Sequence, residues 1–498
     1  MNKKITWINT IIFSTLLLIA VFFMPQKAPA APNSETENSS DVNMKFLESV
    51  YELIKANYVD EVDTELLYQG AMEGMLNSLK DPYTSYIYKD TTIGHDLEDT
   101  TSGSFCGIGV HITKAVVSTP ERPAYVEIAS PIEDTPGWKA GLQSGDYITE
   151  IDGTPTEEIT QEDVLNMLRG KEGTEVTLKI LRGKSMEFEV KIKRAVIEVP
   201  TVKFTKIGKD IAYIRLIEFN PNSAKRIIEA LDKLKEEDCT KLILDLRDNP
   251  GGLITSSIEV SSIFLESGTV VSTKGRAAGT SSTYSVKRFG TKAPKEMPVV
   301  ILINKGSASA SEIVSGALKD HKRAYLIGTR SYGKGLVQNI IPLTQNESVK
   351  ITVARYYSPS GANIDKLGIL PDLEVSRPQF TPEQEKSAIN LLSTSEIADF
   401  TRSKKELSRD EMLEFAKKLE KKYNIPSNLI LPFIKTEYHR SHKAPVIDIE
   451  DDIQLKAAVK VLNTENVKAL CENSKTLLEM QKADEEKTAA NGKDKKKE

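Results

Sequence analysis

Lys241-Leu242-Ile243-Leu244-Asp245-Leu246-Arg247-Asp248-Asn249-Pro250-Gly251-Gly252 and Val299-Val300-Ile301-Leu302-Ile303-Asn304-Lys305-Gly306-Ser307-Ala308-Ser309-Ala310-Ser311-Glu312 share one design. Each opens with a near-continuous apolar run, which is how a strand buried on both faces reads. Each then breaks into a turn rich in Gly, Asn or Ser. Helical patterns at 223–234 and 312–319 separate and follow these runs. Strands alternating with helices from Lys209 onward predict an α/β layered core. Further on, Val349, Ile351 and Val353 alternate with Lys350 and Thr352, which predicts a strand nearer an edge.

Toward the N-terminus, at 105–194, the period changes to two. Val176, Leu178 and Ile180 alternate with Thr177 and Lys179; after a Gly183-Lys184 turn, Met186, Phe188, Val190 and Ile192 alternate with charged residues. That is an amphipathic hairpin. Upstream lie Phe105-Cys106-Gly107-Ile108-Gly109-Val110, then Ala140-Gly141-Leu142-Gln143-Ser144-Gly145-Asp146, then Ile151-Asp152-Gly153. Taken in order, these elements resemble a PDZ domain. The resemblance implies that the loop Gly107, Ile108, Gly109, Val110 presents N–H groups to a peptide's terminal carboxylate, and that the peptide adds as a strand. Glycines turning a small barrel are the plainer alternative for each Gly taken singly.

Phe46, Val50, Ile54 and Tyr58 recur every four residues, and Leu67, Ala71, Met75 and Leu79 repeat the pattern. Two amphipathic helices over 42–100 are expected, forming a hairpin that must dock on something larger. Residues 31–41 are polar and linker-like. At the start, Lys3 and Lys4 precede a 20-residue apolar stretch, 5–24, and Ala28-Pro29-Ala30 resembles a cleavage site. Residues 1–30 are therefore a signal peptide or, being long enough to span about 30 Å, a membrane anchor.

Toward the C-terminus, Thr381-Pro382-Glu383-Gln384 and Ser408-Arg409-Asp410-Glu411 are capping boxes. They predict a helical segment over 378–451. Residues 452–475 read as a final core helix. The end, 476–498, is charged and poor in apolar residues, so it is expected to be disordered and solvated.

Of the 498 residues, 66 are Lys or Arg and 71 Asp or Glu, a net charge of −5. No basic surplus argues for a nucleic-acid partner. Cys106, Cys239 and Cys471 are far apart and the five histidines are scattered, so neither a disulfide framework nor a metal site is expected.

Chemistry concentrates in the two Gly/Ser turns and in Ser331-Tyr332-Gly333-Lys334-Gly335-Leu336-Val337-Gln338. Together with Asp81-Pro82, the PDZ-like run and Ile369-Leu370-Pro371-Asp372, these motifs resemble the C-terminal processing peptidases, or tail-specific proteases, from Phe46 through Val375. Those are serine proteases with a Ser/Lys dyad. The resemblance implies a multidomain α+β fold with a PDZ domain at 101–195, a crotonase-like α/β protease core at 196–377, and N- and C-terminal helical segments. It implies Ser309 as nucleophile, Lys334 as general base and Gln338 as the group orienting Lys334. The family places the final core helix soon after the Pro-Asp strand; here about 75 residues intervene, so 378–451 reads as an insertion.

Elementary chemistry is consistent with these roles. A serine hydroxyl needs a base, and neither motif contains histidine. A desolvated lysine can serve, and glycines on both sides of Lys334 would let other backbone pack around it. Gln338, four residues on, is expected on the same face as Lys334. The N–H of Ala310 at a helix start, with one from Gly251 or Gly252, would form an oxyanion hole. The alternatives are plain: Ser309-Ala310-Ser311-Glu312 is also a capping box, and Ser307 and Ser311 carry the same hydroxyl. Asp245 with Arg247, His321 and Cys239 read as structural. Arg169, near the end of the PDZ-like helix, is a candidate for relaying peptide occupancy; a solvated arginine is its alternative.

The expected function is an extracytoplasmic serine endopeptidase, without cofactor, that binds protein or peptide substrates by the C-terminus and cleaves near it. The rivals are a non-catalytic PDZ tail-binding protein of the cell envelope and acyl-CoA chemistry on the same core. Membrane anchoring and homo-oligomer formation stay open.

Overall fold

The computed structural model describes residues 39–494 apart from 89–90, 115–123, 133–134, 144, 184, 199–200, 288–291, 403–405, 440–441 and 443. The signal or anchor segment 1–30, most of the linker, Ser144 and Lys184 lie outside the described residues. The chain divides into two compact units, 1–85 and 86–498.

The first unit contains the helices Ser39–Asn57 and Thr64–Asn77. Asp63 caps the second, accepting from the N–H groups of Glu65 and Leu66. The helical region ends earlier than expected. The strand Ser85–Tyr88 joins a five-stranded sheet through its pairing with Glu347–Tyr357, and a further helix, Thr92–Ser102, leads to the next module.

In the second unit, a sheet of the strands Val110–Lys114, Val126–Pro131, Tyr147–Ile151, Glu175–Arg182 and Met186–Lys193, in that order, forms the expected PDZ module. The inward residues Val126, Ile128, Ile148, Val176, Leu178 and Ile180 are fully buried with Val164 of the helix Gln161–Leu168. The ribbon Ser104–Gly107 with Ala195–Glu198 closes the module at its base.

The protease core is a six-stranded sheet in the order Val202–Ile207, Ile211–Leu216, Lys241–Asp245, Val299–Ile303, Tyr325–Gly328, Leu373–Glu374. All pairs after the first are parallel. Leu242, Leu244, Val299 and Ile301 pack with the helices Ser223–Glu236, Ile254–Phe264 and Ala310–Asp320. Ile243, Val300 and Leu302 pack on the other face with Leu455, Ala458 and Val467. Two covered faces are why these strands read as uninterrupted apolar runs. The strand Glu347–Tyr357 is not at an edge as the alternation suggested. It pairs with Ser85–Tyr88, Thr269–Gly275 and Leu336–Pro342, and the alternation reflects a half-buried face.

Residues 378–451 hold four helices, Pro382–Leu392, Glu396–Arg402, Arg409–Tyr423 and Ser427–Tyr438, around their own core of Leu391, Ala416, Ile425, Ile430 and Ile434. The ends of this segment are held together: Gln454 Nε2 donates to Val375 O at 2.8 Å. The segment thus leaves and re-enters the core at one place. The final core helix is two helices, Ile453–Thr464 and Val467–Asn473. Of the tail expected to be disordered, Leu477–Asp494 is instead a helix, because Leu477 and its neighbours find an apolar seat on the core; 495–498 lie outside the described residues.

Candidate functional site

The two Gly/Ser turns lie side by side at the carboxyl ends of adjacent parallel strands, where open α/β sheets bind ligands. Asn304 stitches them together. Its Nδ2 donates to Asp248 Oδ1 at 2.8 Å, while its Oδ1 accepts from the N–H groups of Asp248 and Gly306, both at 2.9 Å. The Ala308 N–H donates to Asn249 O at 3.0 Å. Gly306 has no room for a side chain, since a β-carbon there would stand 2.7 Å from Asp248 Cα.

The three serines of the turn are not equivalent. Ser307 is buried and its hydroxyl donates to Leu246 O at 2.7 Å; Ser311 is buried and donates to Asn249 O at 2.9 Å. Ser309 is half-buried; it stands in a capping box with Glu312, but its hydroxyl takes no cap hydrogen bond, the Glu312 N–H donating to Ser309 O at 2.9 Å instead. Its backbone lies at φ 53°, ψ −111°, a costly conformation for a residue with a Cβ. The other two boxes show what an ordinary cap looks like. Thr381 and Ser408 sit at φ −74° and −75° with their side chains accepting from Gln384 and Glu411 N–H. At Ser309 the backbone turns the other way and leaves the hydroxyl uncommitted.

Glu312 is what holds this turn to the lysine segment. Its carboxylate, 1% exposed, accepts from Ser309 N–H and Lys334 N–H at Oε2, both at 2.9 Å. At Oε1 it accepts from Gly333 N–H at 2.8 Å and the Ser331 hydroxyl at 2.5 Å. Burial raises its pKa above the ordinary glutamate value despite these four donors. Sequence reading saw Glu312 only as half of a capping box. The one available signal was its place three residues after Ser309. Tyr356 closes the other side, its hydroxyl donating to Lys334 O and lying 3.3 Å from Ser309 O.

Glycines flank Lys334 for the expected reason. A β-carbon on Gly333 would stand 2.8 Å from Gly368 N, and one on Gly335 2.6 Å from Asp365 N. Gln338 departs from expectation. Lys334 precedes the strand Leu336–Pro342 in irregular backbone, and a bulge falls between Val337 and Gln338, so simple alternation does not relate the two. The Gln338 amide donates to Thr352 Oγ1 on the facing strand at 3.3 Å.

The glycine turn lies against the same corner. A β-carbon on Gly251 would stand 2.7 Å from Ser309 Cβ and 2.9 Å from Ala310 N; one on Gly252 would stand 2.1 Å from Phe219 O. The Gly251 N–H is taken by Asn249 Oδ1 at 2.9 Å. Among the described residues, the N–H groups of Gly252 and Ala310 have no acceptor. Beneath the turn, Arg247 pairs with buried Asp245 (2.6 Å) and with Asp452 (2.7 Å), and Tyr213 donates to Asp245 at 2.7 Å. Burial opposes the charge on Arg247, but the two carboxylates outweigh it and raise its pKa. The His321 Nε2–H donates to Thr269 O at 2.8 Å, and Cys239 is a buried thiol whose pKa burial raises. Both fit structural roles.

In the PDZ module, the Ile108 and Gly109 N–H groups have no acceptor among the described residues. Gly109, at φ 78°, is pressed on Thr135, whose hydroxyl donates to Gly109 O at 3.0 Å. Val110–Lys114 is the first strand of its sheet, pairing on one side only among the described residues. Arg169 is not solvated. It forks onto Asp99 of the helix Thr92–Ser102 at 2.9 and 2.7 Å and lies 5.3 Å over the Phe105 ring.

Comparison with known proteins matches residues 210–375 to peptidase family S41, 127–182 to the PDZ domain and 20–91 to the activating protease CtpB N-terminal domain. A carboxy-terminal-processing protease of Bartonella bacilliformis is 38% identical over 402 residues, covering 78% of this chain and 88% of that protein. A probable CtpA-like serine protease of Staphylococcus aureus is 32% identical over 372 residues, covering 75% and 72%. Among solved structures, the photosystem II D1 C-terminal processing protease is 28% identical, covering 67% of this chain and 92% of that one, with a TM-score of 0.38.

Proposed function

Because the chain belongs to peptidase family S41, the carboxy-terminal-processing proteases, and is a serine-type peptidase with a PDZ domain, we propose that it cleaves proteins near C-terminal tails with a Ser309/Lys334 dyad, outside the cytoplasm. The observation that carries this reading is the single uncommitted hydroxyl. Of the three serines in the turn, only Ser309 has a strained backbone, a hydroxyl outside the hydrogen bonds that fix the turn, and an N–H tied by one carboxylate to the segment bearing Lys334.

In this mechanism the neutral Lys334 amine takes the proton from Ser309 Oγ as it attacks the scissile carbonyl. Charge moves onto the carbonyl oxygen, where the Ala310 and Gly252 N–H groups are available. The first sits at the positive end of the helix Ala310–Asp320. Gly251 is the poorer donor, since Asn249 already occupies its N–H. Collapse of the intermediate breaks the C–N bond, and Lys334 gives the proton to the leaving amine. Lys334 then activates water to hydrolyse the acyl-enzyme. Gln338, whose amide is held by Thr352 on the facing strand, takes no step in this mechanism. The reaction so written needs no cofactor.

The PDZ module supplies the tail specificity. The Ile108 and Gly109 N–H groups face a terminal carboxylate, and the open edge of Val110–Lys114 takes the tail as an added strand. Export rests on the apolar segment 5–24 and its basic start. The test is labelling by a fluorophosphonate. The probe should modify the wild-type chain and leave Ser309→Ala unmodified. Labelling that survives Ser309→Ala removes the dyad.

A further inference from the structure

The helix Leu477–Asp494 bears on the catalytic corner from outside. Leu477, 3% exposed, seats on the nucleophile helix: a β-carbon on Gly316 would stand 2.9 Å from its Cδ1. The Leu477 N–H donates to Asp320 Oδ1, at the end of that same helix, at 2.8 Å. One turn further, Gln481 Nε2 donates to Asn363 O at 2.5 Å. Asp484 Oδ2 accepts from one Arg330 nitrogen at 2.8 Å, and the other Arg330 nitrogen donates to Leu367 O at 2.9 Å. These contacts grip both ends of the loop 363–367.

The inner side of that loop is the wall against which the Lys334 segment lies. The Lys366 N–H donates to Gly333 O at 2.8 Å, Asp365 N crowds Gly335, and Leu367 N and Gly368 N crowd Gly333. The lysine segment is therefore held between the Glu312 carboxylate on one side and the loop 363–368 on the other. Only the first of these is itself bolted to the Ser309 turn.

We propose that Gln481 and Asp484, acting through Arg330 and the loop 363–367, are positioning residues for Lys334. This rests on the dyad reading above. A general base displaced by about 1 Å can cost up to about 100-fold in rate. Arg330 and Asp484 are 39% and 40% exposed, so their pair contributes little to folding, and its removal acts on geometry rather than on stability.

The test compares the full-length wild type with Gln481→Ala/Asp484→Ala, with Asp484→Glu, and with Lys482→Ala/Glu486→Ala on exposed positions of the same helix. Hydrolysis of a short peptide gives kcat and KM; fluorophosphonate labelling of Ser309 against pH reports the base directly; thermal melting reports folding. The double variant should lose about 10- to 100-fold in kcat with KM and Tm unchanged, and its labelling midpoint should move by about one pH unit. Asp484→Glu should stay within about threefold of wild type because it keeps the carboxylate. The exposed-position variant should match wild type. An unchanged kcat and pH midpoint in the double variant, or a loss matched by a fall in Tm, overturns the proposal. Full activity in Lys334→Ala would instead overturn the dyad itself, a separate and distinguishable failure.

Discussion

Replacing Glu312 by glutamine isolates what its carboxylate does. Four donors converge on it: Ser309 and Lys334 N–H at one oxygen, Gly333 N–H and the Ser331 hydroxyl at the other. An amide keeps one acceptor. With the amide oxygen in the place of Oε2, the first pair survives and the –NH2 faces Gly333 and Ser331. The Ser331 hydroxyl can turn to accept, having used one lone pair for the Ile369 N–H. The Gly333 N–H is then orphaned, at about 1–3 kcal/mol. The opposite orientation orphans two N–H groups and is disfavoured. Part of the loss is offset, because burial already makes the ionised carboxylate costly here. Stability should therefore fall by no more than about 2 kcal/mol, while the backbone beside Lys334 shifts and kcat drops about 100-fold with little change in KM. Glu312→Ala would orphan all four donors, at about 4–12 kcal/mol before water enters, which is of the order of the whole folding free energy. Glutamine is thus the informative change.

The raised pKa adds a signature with a definite sign. The protonated form of Glu312 is favoured by folding, so its contribution to stability is full below the ordinary glutamate range and is lost as pH rises through the folded value. Melting curves from acid to neutral pH should show this decline in wild type and its absence in Glu312→Gln. Wild-type kcat in Glu312→Gln would refute the bracket. A loss of activity that merely tracks unfolding would reduce Glu312 to a structural residue.

Ser309→Ala and Lys334→Ala should each lower kcat by at least about 1,000-fold with folding intact, whereas Ser307→Ala should cost stability, about 1–2 kcal/mol by thermal melting, and spare kcat; the reverse pattern would move the nucleophile. Gly252→Ala, whose β-carbon meets Phe219 O at 2.1 Å, should displace an oxyanion donor and cost about 100- to 1,000-fold in kcat, and a wild-type rate would remove Gly252 from the hole. Amidating a substrate's C-terminus should weaken binding to the PDZ module by about 1–3 kcal/mol by calorimetry, and equal affinity for amide and acid would end carboxylate recognition at Gly107–Val110. If the Arg169–Asp99 fork carries tail occupancy toward the five-stranded sheet that holds Ser85–Tyr88 and Glu347–Tyr357, adding a separate tail peptide should accelerate short-peptide hydrolysis in wild type but not in Arg169→Ala; equal acceleration in both breaks that relay.

Much of this molecule is legible one segment at a time, because the signals are local. A strand covered on both faces must be apolar throughout, so Lys241–Asp245 and Val299–Ile303 announce themselves. Period-two alternation marks the hairpin of the PDZ module, and the Thr381 and Ser408 caps mark helix starts through the chemistry of a single turn. What stayed hidden depends on partners far away in the chain. No local pattern separates Ser309 from Ser307 and Ser311; the difference is that Leu246 and Asn249, some 60 residues upstream, accept the other two hydroxyls. Glu312 reads as a cap until Ser331, Gly333 and Lys334 arrive around it. The strand Glu347–Tyr357 alternates like an edge yet lies between partners, because alternation reports which face is wet and says nothing of what flanks the strand. The tail is too polar to fold alone, and its helix Leu477–Asp494 exists because one leucine and a few polar contacts find a seat already built by the core. Sequence periodicity marks the buried strands and the capped helix starts; only the tertiary fold decides which hydroxyl is left uncommitted and which carboxylate ties the Ser309 turn to the Lys334 segment.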